Sequence, residues 1–164
     1  MSKAAPIKRD KNLVWLSRDH HDGLLIVWKI RQGIRFGISH DRINDFVASA
    51  FTSELEPHFK EEENLLFIQL PENDQLRLRA ESEHAAIRKM APALKSAFEL
   101  NMANLEAFAN LLESHIRFEE RTLFTYIEKE ISREQLKTIG IQLEADHRTK
   151  KTLTWQDEFW IKKP

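Results

Sequence analysis

The sequence predicts an all-α protein: an up-down-up-down four-helix bundle with an additional C-terminal helix. Three observations lead there. Glycine and proline are scarce, 4 and 5 in 164 residues, and β-branched runs are absent. Apolar residues recur at three- and four-residue spacing through most of the chain, the period of a helix with one buried face. A ten-residue motif also occurs twice, HFKEEENLLF from His58 and HIRFEERTLF from His115, with five identical positions.

Each element has its own signals. In the first helix Leu13, Leu16, Gly23, Val27, Ile30 and Ile34 mark one face, and Gly33 and Gly37 end it. Ser39 or Asp41 caps a second, which runs through Ile43, Phe46, Val47, Ala50 and Phe51 towards Phe67. Pro57 lies inside it and should kink or break it, because proline has no N–H to donate. The stretch LPENDQ around Pro71 is a loop, and Asn73 or Asp74 caps a third helix carrying His84 and the internal Pro92. Asn101 ends that helix or caps the fourth, which runs to about Glu130. Ser132 with Gln135 three residues later forms a capping box. It opens a fifth helix over about 132–160, ending in Trp155, Phe159 and Trp160. Trp155 and Trp160, with the basic end Lys162 and Lys163, dock this helix on the bundle or form a dimer contact, and docking is the expected outcome. Trp15, Trp28, Phe108 and Phe118 are expected in the core. Short connections between the main helices make neighbours antiparallel. The chain reads as a single domain over 1–164, its core bundle covering about 10–130.

Composition narrows the chemistry. With no cysteine, disulfides, thiol catalysis, iron–sulfur clusters and zinc–thiolate sites are excluded. A net charge of −1 without a basic stripe gives no reason to expect nucleic acid. No apolar run is long enough to cross a membrane, and the start, MSKAAPIKRD, has no apolar signal region. A cytoplasmic protein is expected, as monomer or homodimer.

The repeat carries the functional argument. Residues four apart on a helix lie on one face, about 6 Å apart along the axis. His58 with Glu62, and His115 with Glu119, can therefore each present an imidazole and a carboxylate together. Leu66 with Phe67, and Leu123 with Phe124, would help to seal the site. His20 or His21 and His84 add an imidazole from each of the other two helices. Four imidazoles and two carboxylates overfill one tetrahedral zinc and suit a pair of iron or manganese ions. His20 continues the Leu13–Leu16–Val27 face, whereas His21 matches Val14, Leu24, Leu25 and Trp28. Glu61, Glu63 and Glu120 are expected to be solvated, or to orient a ligand imidazole. Glu81, His147 and Glu120 stay open as additional ligands, although a surface or packing role is expected for His147. His40 is expected in a loop.

With Asp19-His20, two H-x-x-x-E-E-x-x-L-F segments and Glu83-His84, the chain resembles the hemerythrin-like, or HHE cation-binding, domain family. The resemblance covers about residues 10–130. It implies a four-helix bundle around a non-haem di-iron centre, with His20, His58, Glu62, His84, His115 and Glu119 as metal ligands and one or both glutamates bridging. The oxygen-carrying members place a second histidine one turn from the third-helix ligand, where this chain has Ala80 and Arg88. They also place the last acid five residues after its histidine, where this chain offers both Glu119 and Glu120. This departure counts against a simple oxygen carrier.

Three functions follow as expectations. One is a protein that binds or senses a small diatomic ligand, oxygen or nitric oxide, or iron itself, at two non-haem irons, with manganese or zinc as other metals. Another is a di-iron oxidoreductase, peroxidase or iron-repair factor. The third is a metal-free helical interaction module.

Overall fold

The computed structural model describes residues 5–96 and 102–164, and every regular element among them is helical. A 3₁₀ turn, Lys11–Leu13, leads into α1 (Val14–Arg35). A second long helical stretch comprises α2 (His40–Ala50), a π-helical turn (Phe51–Leu55), α3 (Glu56–Glu61) and another π-helical turn (Glu62–Leu66). After the Pro71 loop come α4 (Gln75–Ser96) and α5 (Met102–Phe118). The latter continues through a π-helical turn (Glu119–Leu123) into α6 (Phe124–Glu130). The chain then forms α7 (Arg133–Arg148). α1 packs against α2 and α5, and α4 packs against the same two, which closes a four-helix ring. α7 lies outside it against α1 and the Lys11–Leu13 turn. Among the described residues no helix is long and apolar enough to cross a membrane.

Several local signals act as expected. Asp74 accepts from the N–H groups of Leu76 and Arg77 at the start of α4, and Ser132 and Gln135 form the reciprocal capping box of α7. Pro57 does not break its helix. The preceding π-helical turn takes up the mismatch, and the Thr52 and Ser53 hydroxyls donate to the Ala48 and Ser49 carbonyls one turn back. Pro92 lies inside α4 without ending it. Asn101 lies outside the described residues.

Four expectations need correction. α1 runs past Gly33 to Arg35, and the terminating glycine is Gly37, in the left-handed region at φ 65°. His40 is the first residue of α2 and is buried, not a loop residue. Trp28 is 46% exposed, because it shares the outward phase of α1 with Leu25 and His21. The C-terminal helix stops at Arg148, not near residue 160. The chain beyond it is irregular, and its aromatic end folds back onto α2, with the Phe159 and Trp160 rings 5.5 and 5.4 Å from that of Phe46. Lys29 of α1 stands 4.0 Å above the Trp160 ring. Burial of two aromatics replaces helical hydrogen bonding as the reason this segment is held.

Among the described residues the apolar core consists of two clusters. One contains Ile30, Phe46, Phe59, Ile87, Phe108 and Leu112. The other contains Leu16, Leu66, Phe67, Leu123, Phe124 and Ile139. Along each main helix the histidine falls between the two: His20 follows Leu16 and precedes Val27, and His84 lies between Ala80 and Ile87. A polar layer thus crosses the bundle between two dry ones.

Gly33 permits the tail to dock. A Cβ at this position would lie 2.8 Å from Phe159 and 2.9 Å from Ile43. Alanine normally favours a helix over glycine by about 1 kcal/mol, but overpacking costs roughly 1–3 kcal/mol. Gly33→Ala should therefore lower the urea midpoint, whereas a raised midpoint would show that the tail does not pack there in solution.

Candidate metal centre

Four imidazoles and two carboxylates meet in the polar layer. His20 comes from α1, His58 from α3, His84 from α4 and His115 from α5, while Glu62 and Glu119 are the first residues of their π-helical turns. Glu62, His84, His115 and Glu119 have no solvent exposure, and His20 and His58 almost none. Each Nε2 points at the carboxylates. His20 Nε2 is 3.1 Å from Glu62 Oε1 and 2.9 Å from Glu119 Oε2. His58 Nε2 is 2.9 Å from Glu62 Oε1, and His115 Nε2 is 3.2 Å from Glu119 Oε1. His84 Nε2 lies 3.2 Å from Glu62 Oε2 and 3.5 Å from Glu119 Oε1.

A second layer fixes the rings. Every Nδ1 faces a carboxylate from a neighbouring helix. His58 faces Asp19 at 3.2 Å, His84 faces Glu63 at 2.8 Å, His115 faces Glu83 at 3.2 Å and His20 faces Glu120 at 2.8 Å. Carboxylates only accept, so each Nδ1 carries the proton, and in a neutral ring Nε2 is left with a lone pair directed inward. Aromatic rings close the layer. Phe59 and Phe67 stack on His84 at 4.0 and 5.4 Å, and Phe124 stacks on His20 at 5.0 Å.

The donor set fits metal ions. Three of the inward nitrogens (His58, His84 and His115) and three inward oxygens (Glu62 Oε2 and both of Glu119) are buried and, although close to one another, meet at angles that make no hydrogen bond. Such orphans are costly unless something absent from the protein atoms satisfies them. Two groups of close donors share the glutamates: His20, His58, Glu62 and Glu119, and then His84, His115, Glu62 and Glu119. Two cations, each with two imidazoles and both carboxylates, would use every one of them.

Electrostatics point the same way. Burial alone would discharge all six groups. At His58 the Glu62 charge and the bond to Asp19 overcome it and raise the imidazole to about 9. His20 and His84 are held well above 6.5, against burial, by Glu119 and the neighbouring carboxylates. Burial and the Glu119 charge oppose ionisation of Glu62, yet His58 and His20 bring it down to about 2. Glu119 stays well below the usual carboxylate range, chiefly through His115, although burial pushes it up. In the metal-free protein, protons on the imidazoles stand in for cations.

The chain's six predicted ligands are all brought together. His21 is exposed on the outer side of α1 and takes no part. Glu81 pairs with Arg77 and belongs to neither donor group. His147 bonds the Leu143 carbonyl and Asp19 instead of reaching the glutamates. Glu120, the open alternative to Glu119, serves as the acceptor for His20. Of the four outer carboxylates, Glu63 and Glu120 were expected either to be solvated or to orient an imidazole, and they face His84 and His20; Asp19 and Glu83 had no such role assigned from the sequence. The available signal was that each sits next to a candidate ligand, and one residue along a helix turns the side chain by about 100° towards the adjacent helix.

A cavity of about 200 Å³ reaches the centre from outside, touching His20, His58 and His115. Leu55, Phe59, Leu112 and Ile116 form its apolar wall, and His147 and the Lys150–Thr152 segment stand along it.

The family model of the hemerythrin HHE cation-binding domain matches residues 16–127, more than half of the chain. The chain belongs to this family. No curated protein and no solved structure matches it. The HHE match runs from near the start of α1 through α5 into α6, hence over all six inward groups, and leaves α7 and the aromatic tail outside.

Stability of the metal-free HHE protein should depend on pH in both directions. The raised imidazoles stabilise fully below 6.5, and the effect is lost as pH rises towards about 9 at His58. The depressed Glu62 stabilises fully above 4.5, and the effect is lost as pH falls towards about 2. Thermal unfolding of the metal-free protein should therefore show its highest midpoint between pH 4.5 and 6.5. A midpoint that climbs from pH 6.5 to 9 would contradict the charged-imidazole arrangement.

Proposed function

We propose that this HHE protein is a non-haem di-iron protein that binds or senses oxygen, nitric oxide or iron itself. The observation that carries the reading is the commitment of all four Nδ1 atoms to carboxylates, which leaves four Nε2 atoms around two shared glutamates. His20 and His58 would hold one ion, His84 and His115 the other, and Glu62 and Glu119 would bridge. Bound iron would supply redox chemistry and an open coordination position. Iron or manganese suits this mixed nitrogen and oxygen set better than zinc, which favours a closed four-ligand site.

The protein's own groups do the rest. Asp19, Glu63, Glu83 and Glu120 keep the rings oriented with Nε2 inward. Phe59, Phe67 and Phe124 exclude water from the His84 and His20 faces. The cavity lets a small molecule approach between His20, His58 and His115.

One observation favours a second reading, an oxidoreductase or peroxidase. A cavity of about 150 Å³ can hold benzene, and the present one, at about 200 Å³, has more room than a diatomic ligand needs.

Protein purified from iron-supplemented cells should carry about two irons per chain and show oxo-bridge absorption in the near ultraviolet. His58→Ala or His115→Ala should remove at least one of them, since loss of one ligand imidazole also leaves its carboxylate neighbour unpaired. A reversible spectral change with oxygen supports binding, whereas rapid turnover of peroxide supports the enzyme. Wild-type protein that takes up no iron after anaerobic reconstitution sinks the di-iron reading.

A further inference from the structure

The four outer carboxylates are themselves held by cations, and three of those cations are arginines. Arg9 pairs with Glu120 at 3.2 Å, Arg88 with Glu63 at 2.7 and 3.1 Å, and Arg79 with Glu83 at 3.1 Å. Cation, carboxylate and imidazole thus form one arm per helix. The arm through Asp19 has no arginine. Lys150 Nζ donates to Asp19 Oδ1 at 2.7 Å, and His147 Nε2 donates to Oδ2 at 3.1 Å. The same Oδ2 accepts from His58 Nδ1.

We propose that Lys150 and His147 are positioning residues that hold His58 through Asp19, completing the fourth arm from outside the bundle. Both lie beyond the segment that matches the HHE family. The inference rests on the reading of His58 as a metal ligand.

The bonding capacity of His147 supports it. Its Nδ1 is 2.8 Å from the Leu143 carbonyl, and its Nε2 faces a carboxylate. Both partners only accept, so both nitrogens must donate. The ring is fixed between α7 and Asp19, and it stacks on Trp15 of α1 with centroids 4.9 Å apart. Asp19 thereby receives a point charge on one oxygen and a planar donor on the other, which sets the carboxylate plane from two sides. An arginine fork would do this with one residue. Here two residues from the end of α7 and the segment after it share the task.

Position adds a consequence. His147 and Lys150 line the cavity that reaches His20, His58 and His115. The His58 arm is therefore built into the entrance wall. A molecule in the entrance meets groups that fix one ligand ring, and the two halves of the centre are not supported alike.

The test follows the imidazole Nδ1–H groups of the full-length protein by nitrogen-15 NMR, both metal-free and loaded with cobalt(II). Lys150→Met removes the charge, and His147→Phe removes both donors while keeping a ring against Trp15. In the metal-free double variant the His58 Nδ1–H should exchange with water about tenfold faster, as expected for loss of charge-assisted hydrogen bonds, with the other three unchanged. Lys150→Arg alone should exchange like wild type. In the cobalt protein only one Nδ1–H resonance should move. If all four accelerate together, or none does, Lys150 and His147 do not position His58 and the proposal is overturned. Failure of the wild type to bind cobalt would overturn the two-metal reading instead, because the metal-free exchange rates judge the fourth arm independently.

Discussion

Two carboxylates with no access to water, Glu62 and Glu119, set the terms for this structure. Burying a carboxylate costs several kcal/mol even after relaxation, so the interior must surround it with donors or cations. The bundle supplies one imidazole from each of four helices and fixes each with a carboxylate on its outer edge. The helices cannot slide or rotate independently once these bonds are made. The apolar clusters on either side keep water out, and they are separate because the polar layer lies between them. Without a metal ion the layer still balances its charge, since raised imidazoles carry protons beside the two carboxylates.

The outer bonds run in one direction round the bundle. Asp19 of α1 serves His58 of α3, Glu63 serves His84 of α4, Glu83 of α4 serves His115 of α5, and Glu120 serves His20 of α1. The repeated motif is the unit of this ring. Its first and fifth residues face inward. Its sixth residue and its last, Glu63 and Phe67 or Glu120 and Phe124, serve and cover the imidazole of the next helix. The two copies therefore build both sides of one centre, which accounts for four of the five identities; the fifth, Leu66 and Leu123, is buried in the apolar cluster beside it.

Much of this was legible in the sequence, and the reasons are local. The histidine and glutamate pairs show in the spacing of four, the His20 face shows in the apolar period of α1, and the cap of α7 shows in Ser132 and Gln135. What was hidden depends on other helices. No spacing says that Asp19 meets His58, because the partner is 39 residues away. Trp28 kept the composition of a core residue but not its phase. Phe159 and Trp160 looked like the end of a helix because their packing on Phe46 requires burial, not a helical backbone. The π-helical turns left no mark at all: the apolar period does not disclose a single extra residue.

Those turns carry a consequence for how the chain can change over time. In the two that lie within the repeated motif, the closing bond runs from the N–H of the motif's terminal phenylalanine to the carbonyl of the inward glutamate, Phe67 to Glu62 and Phe124 to Glu119. One residue more than an ordinary turn is accommodated, which advances everything downstream by about 100°. Deleting that residue would leave a perfectly good α-helix and swing the phenylalanine off its imidazole. Descendants of this chain are thus free to trade side chains on the outer surface of these segments but not to alter their length. Within the motif, the residue count constrains the centre as the inward side chains do.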